Sequence, residues 1–138
     1  MIINFWVVLV CGVISMVVGS IWYGPIFGKV WMRIEGVNAA SPEERKKMQK
    51  GMVLTYIIQF LLSLLQVYIL AGMNRGLPSS LGIHNAILVW LGFVVPLVAG
   101  IAMWNNKSAG TKWARFWIQA GYYLIIFVIF AAIIAAWQ

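Results

Sequence analysis

The sequence predicts an all-α membrane protein of one domain: a four-helix antiparallel bundle with a short interfacial amphipathic helix after the first span. Three observations predict it. Of 138 residues, 63% are hydrophobic and 9% charged, where a soluble domain carries about 25% charged residues, so lipid rather than water must cover the surface. Four apolar runs each approach the ~20 residues that cross a hydrocarbon core. Apart from Arg75, every Lys and Arg follows the first or the third run, and the loop between them is spared.

The first span covers residues 3–23. Gly12, Ser15, Gly19 and Tyr23 share a face, and small residues at such spacing let a neighbouring backbone approach closely. No Lys or Arg precedes this run and no cleavage site follows it, so it is expected to be retained as a span. The chain should then break at Gly24-Pro25 and restart as an interfacial segment over 25–36. At helical spacing Phe27, Val30, Trp31 and Ile34 fall on one side and Lys29 and Arg33 on the other. The rings are expected in lipid and the cations among headgroups. Trp22, Tyr23, Lys29 and Arg33 are candidate headgroup or anion contacts, because a helix restarting after proline presents free N–H groups. The alternative is a purely structural elbow.

The polar stretch 38–50 holds a helix start. Ser41 can cap, Pro42 suits the first turn and Glu44 can complete a capping box. Arg45, Lys46, Lys47 and Lys50 follow, either as a topology-setting cluster or as an anionic-lipid site. The second span, 50–72, carries Thr55, Gln59, Ser63 and Gln66 within about 80° of arc, with Tyr56 at the border. An amide facing acyl chains is costly, so the stripe should face protein or a wet cavity. Two readings stay open. One is hydrogen bonding between helices, worth about 0.6 kcal/mol per contact. The other is a polar groove for a solute or lipid headgroup, with Gln119 and Tyr123 of the fourth span as partners.

The second loop, 73–84, reads as an irregular turn whose ionisable groups are Arg75 and His84. The third span, 85–104, aligns Asn85, Gly92, Pro96, Gly100 and Met103, and Pro96 should kink it. The third loop is short and basic. The fourth span, 114–137, has Gly121 on a small-residue face and Gln119 and Tyr123 nearly opposite. Gly12, Gly19, Gly92, Pro96, Gly100 and Gly121 are the candidate helix-packing residues. By the positive-inside rule the first and third loops are cytoplasmic and both termini lie outside, with tryptophans near the span ends. Trp22 followed by Gly28–Arg33, and Trp104 followed by Gly110–Arg115, suggest an internal repeat; interfacial Trp next to cytoplasmic Lys and Arg would produce the same pattern.

The run Trp22-Tyr23-Gly24-Pro25-Ile26-Phe27-Gly28-Lys29-Val30-Trp31-Met32 resembles the signature after the first span of a family of small bacterial membrane proteins, Domain of Unknown Function 1761. Trp90-Leu91-Gly92-Phe93, Gln119-Ala120-Gly121-Tyr122-Tyr123 and Ala135-Ala136-Trp137 fit it in the same order. The resemblance covers all four spans and implies a four-span membrane protein; the expected location is a bacterial inner membrane. It supplies no activity, substrate or catalytic residue. Relatives often carry His where this chain has Tyr123, so no role needing an imidazole carries over.

The residues disfavour most chemistry. Proton-coupled carriers rely on ionisable groups within the membrane, and none lies near a span centre. A lone histidine, His84, cannot supply a chelating metal site or both haem ligands. Cys11 has no thiol partner, and Ser15, Ser20 and Ser63 have no base at plausible depth. Glu35, Glu43 and Glu44 lie in a basic loop. No catalytic residue, metal or cofactor is therefore expected. The net charge of +7 points to anionic headgroups and not to nucleic acid, because the cations sit in short loops between apolar runs. The functional expectation is a non-enzymatic accessory protein that self-associates as a homo-oligomer or docks on a membrane-protein partner. The alternative is a carrier or binding protein for a small neutral solute or lipid.

Overall fold

The computed structural model describes residues 3–37 and 40–137. Every described element is helical, and four helices are long and apolar enough to cross a membrane: Phe5–Ile26, Pro42–Met73, Ser79–Met103 and Ala109–Trp137. Span one is α1, Phe5–Ile21, prolonged by a π-helical turn over Trp22–Ile26. The short α2 covers Gly28–Ile34. Span two is α3, Pro42–Met73. Span three is α4, Ser79–Val89, a π-helical turn over Trp90–Val94, and α5, Val95–Met103. Span four is α6, Ala109–Trp137.

The helix does not break at Gly24-Pro25. It runs through them and turns only at Phe27, where φ is −116° and ψ 9°. Proline lacks an N–H and its ring collides with the carbonyl four residues back; a widened turn relieves that collision without ending the helix. At Pro96 the π turn Trp90–Val94 comes just before the proline, with Val95 between, in place of containing it as at Pro25.

The capping box forms as its residues dictate. The Glu44 N–H donates to Ser41 Oγ at 3.2 Å, and the Ser41 N–H to Glu44 Oε2 at 3.4 Å. From there α3 runs 32 residues without interruption, roughly 48 Å at 1.5 Å per residue. That exceeds a hydrocarbon core of about 30 Å, so its basic first turns project beyond the apolar part. Span three likewise starts earlier than its apolar run, at Ser79, which shortens the second loop. Gly76 permits the turn after α3 with φ +76°.

Spans one, two and four pack as a triangle, and span three lies against span four. The main core joins Val7, Val8 and Cys11 of α1, Val67 of α3, Ala86 of α4 and Ile126, Phe130 and Ile134 of α6. A second core sets Val98 and Ala102 of α5 against Phe116 and Ala120 of α6. A Cβ at Gly12 would stand 2.5 Å from Leu64, one at Gly19 3.4 Å from the Tyr122 hydroxyl, and one at Gly121 3.1 Å from the Trp22 ring. Gly92 and Gly100 face open space, and Pro96 is exposed. Those three contribute no close helix approach within this chain.

Phe27, Trp31 and Ile34 of the apolar face of α2 turn to the protein, against the expectation of rings in lipid, and Val30 stays exposed. Ile34 is buried. Phe27 lies 4.7 Å from Trp22, and Trp31 meets Tyr23 edge-on at 4.7 Å. Arg115 of α6 stands 5.2 Å over the Trp31 ring and pairs with Glu35. Lys107 Nζ donates to the Ile34 carbonyl at 2.7 Å. Seven residues cannot hold a helix alone; the contacts with spans one and four hold this one.

Candidate functional site

The polar stripe of span two divides by chemistry. Hydroxyls reach the carbonyl one turn back in their own helix: Thr55 donates to the Gly51 carbonyl at 3.0 Å, and Ser63, fully buried, to the Gln59 carbonyl at 2.9 Å. Amides cannot close that ring. The half-buried Gln59 amide makes no hydrogen bond among the described residues, and Gln66 Oε1 is buried with no partner. Thr55 and Tyr56 lie on the exposed outer surface.

Gln66, its Oε1 itself buried, lines a cavity of about 210 Å³ together with Leu65, Ile69, Leu70 and Met73 of α3, Val89 of α4 and Phe127 of α6. Every wall group apart from the amide is apolar. Spans two and three make no broad contact, so the cavity is a seam between them floored by span four.

One end of the seam is tied shut. Asn74, 2% exposed, caps the end of α3. Its Nδ2 donates to the Gly82 carbonyl at 3.1 Å, and its Oδ1 accepts from Asn85 Nδ2 at 2.7 Å. Gly82 presses on that amide so closely that a Cβ would fall 3.2 Å from Nδ2. Sequence reasoning missed Asn74. The available signal was an Asn ahead of Arg-Gly at a helix end, common turn chemistry that names no partner.

The other candidate residues lie elsewhere. Span four contributes Phe127 to the seam, not Gln119 or Tyr123. Tyr123 packs with Tyr122 and Phe127 and borders both cores; Gln119, half-buried, makes no hydrogen bond among the described residues. Trp22 and Tyr23 turn inward. The Trp22 indole donates to the Ile118 carbonyl at 2.8 Å, and the Tyr23 ring lies 5.5 Å from that of Tyr122. Both residues are part-exposed, whereas Lys29 and Arg33 are exposed on the far face of α2.

Chemically, the seam offers carbon walls with the Gln66 amide as their one polar group. A water needs two to four polar partners to sit in a cavity, and this one supplies a single partner. A mostly apolar guest with one O–H or N–H matches it better. Among the described residues, no three His, Cys, Asp or Glu side chains gather as a metal site.

No curated protein and no solved structure matches the chain. A family model described as protein of unknown function (DUF1761) matches residues 6–135, from span one to the end of span four, and the chain belongs to that family.

Proposed function

We propose that this protein is a non-enzymatic membrane protein that binds a small, mostly apolar molecule carrying one hydrogen-bond donor, a lipid-like alcohol for example, in the seam between spans two and three. The observation that carries the reading is Gln66 Oε1, buried without a hydrogen-bond partner among the described residues, on a side chain that lines an otherwise apolar cavity of about 210 Å³. An unmet carbonyl in such surroundings costs about 1–3 kcal/mol, and a guest hydroxyl met by a small turn of the Gln66 amide toward the cavity removes that cost. The test compares 1-octanol with heptyl methyl ether, of similar size but without a donor, by ligand-observed NMR on protein in nanodiscs. The alcohol should bind about five- to tenfold tighter, the worth of one hydrogen bond, and Gln66→Leu should erase the difference. Equal binding of the two probes, or an unchanged preference in the variant, overturns the reading.

Self-association is a second reading, favoured by one observation. From Ser41 to Ile58 every residue of the α3 start is exposed, and just beyond it the Gln59 amide has no partner among the described residues. Two copies related by a two-fold axis would pair Gln59 with Gln59, satisfying both amides within the membrane. A Gln59→Cys variant should then form a disulfide-linked dimer in nanodiscs, while Leu61→Cys, on the opposite side of the helix, should not; the buried Cys11 is a silent background. In either reading Lys29, Arg33 and the basic start of α3 meet anionic headgroups. The first and third loops then face the cytoplasm of a bacterial inner membrane.

A further inference from the structure

A larger cavity opens at the end of the bundle where α1 begins and α3 and α6 finish, on the side of α3 turned away from Gln66. It measures about 480 Å³ and is lined by Asn4, Val7, Ala71, Arg75, Ile134 and Trp137, with Ile3 at its edge. Its floor is apolar: Val7, Ala71 and Ile134 are 4%, 3% and 1% exposed. Its rim consists of donors. Asn4 Oδ1 is occupied by the Trp6 N–H at 3.0 Å, and the Asn4 amide N–H groups make no hydrogen bond among the described residues. The exposed Arg75 guanidinium and the half-exposed Trp137 indole make no hydrogen bond or ion pair among the described residues.

The charge distribution sharpens the point. All acidic side chains of the chain are Glu35, Glu43 and Glu44, the first just after α2 and the other two in the first turn of α3, at the opposite end of the bundle. No carboxylate side chain competes for Arg75. Every other Lys and Arg follows span one or span three, so this guanidinium is not part of the basic cluster that orients the chain. A compact oxyanion satisfies a guanidinium and neighbouring N–H donors together, and an apolar trough below such a rim takes an alkyl chain.

We propose that this mouth binds a single-chain amphiphile with a compact oxyanion head, a carboxylate or a phosphate monoester, the head on Arg75 and Asn4 and the chain over Val7, Ala71 and Ile134. The site is separate from the Gln66 seam and stands or falls without it.

Native mass spectrometry of the full chain, released from a neutral detergent, reads binding of four probes: oleate, oleyl phosphate, oleyl alcohol and inorganic phosphate. At least one of the two anionic amphiphiles should bind about tenfold tighter than the alcohol, and inorganic phosphate should bind far more weakly than either. Whichever anion prevails identifies a fatty acid or a phospholipid fragment as the source. Arg75→Gln, an exposed change, should reduce anion binding to the level of the alcohol, while Lys112→Gln at the other end should leave the preference intact. Alcohol binding equal to both anions, inorganic phosphate binding as well as the amphiphiles, an unaltered preference in Arg75→Gln, or an equal loss in Lys112→Gln would each overturn the proposal.

Discussion

Trp22 and Trp90 grip span four from opposite sides: their indole N–H groups donate to the carbonyls of Ile118 and Ala120, each at 2.8 Å. Carbonyls two residues apart point about 200° apart around a helix. Each tryptophan opens a π-helical turn and is followed two positions later by glycine, in Trp22-Tyr23-Gly24 and Trp90-Leu91-Gly92. Spans one and three are thus fixed to α6 by one repeated device, while span two is held by α1.

Replacing either tryptophan by phenylalanine keeps most of the ring and deletes the N–H. Each single change should lower stability by about 1 kcal/mol. The two bonds share no acceptor and lie on opposite faces, so the double variant should show the sum to within a few tenths of a kcal/mol. Unfolding in a graded mixture of mild detergent and SDS reads all three. A double variant no worse than a single one would mean that the two contacts form one unit.

The glycines separate cleanly into those that carry a close approach and those that do not. Gly121→Ala drives a Cβ to 3.1 Å from the Trp22 ring, and Gly12→Ala to 2.5 Å from a Leu64 methyl. Overpacking of this kind costs about 1–3 kcal/mol, less at Gly12, where the end of Leu64 can swing away. Gly92→Ala and Gly100→Ala meet nothing within 4 Å. At Gly100, inside α5, alanine should stabilise the helix by up to about 1 kcal/mol. The same unfolding assay should therefore give opposite signs for Gly121→Ala and Gly100→Ala.

Asn74 closes the seam, and its loss should be felt locally. Asn74→Ala leaves the Asn85 amide and the Gly82 carbonyl without their bonds at 2.7 and 3.1 Å. A cost of about 1–3 kcal/mol is expected, and it should fall on the turn between α3 and α4 rather than on the whole bundle. Hydrogen exchange should accelerate across residues 74–85 while the amides of α6 stay protected.

The fold was legible where one physical rule dominates. Hydropathy over a bilayer length located four spans, and Ser41, Pro42 and Glu44 announced the start of α3 because a capping box is local. What depends on a distant partner was not legible. Gly24-Pro25 reads as a break because proline rules are written for the α-helix, and a π turn evades them. The suggested match of Trp22 with Trp104 fails structurally: Trp104 is 88% exposed, and Gly28–Ile34 is a separate helix whereas Gly110–Arg115 lies within the start of α6. Trp90 is the structural counterpart of Trp22. The stripe on span two was visible as a stripe, but its division into satisfied hydroxyls and unmet amides follows from side-chain reach and from which helices stand opposite.

That division predicts an ordered series along one helix face. Thr55→Val removes a hydroxyl that is exposed and already bonded within α3, so stability should change by less than about 0.5 kcal/mol. Ser63→Ala deletes a bonded hydroxyl at a fully buried position and should cost about 1 kcal/mol. Gln66→Leu replaces a buried unpaired oxygen by carbon against Leu70, Val89 and Phe127; with no guest bound it should stabilise by about 1–3 kcal/mol, the cost of the unmet group. A natural residue that lowers stability where it stands is expected at a site kept for binding, since strain at such positions is tolerated for function. Adding 1-octanol should narrow the gap by stabilising the native protein more than Gln66→Leu, as mass action requires of a ligand that binds one of them more tightly. A destabilised Gln66→Leu in the absence of guest would show that the oxygen is satisfied in the membrane, and the ordering Gln66 above Thr55 above Ser63 would be lost.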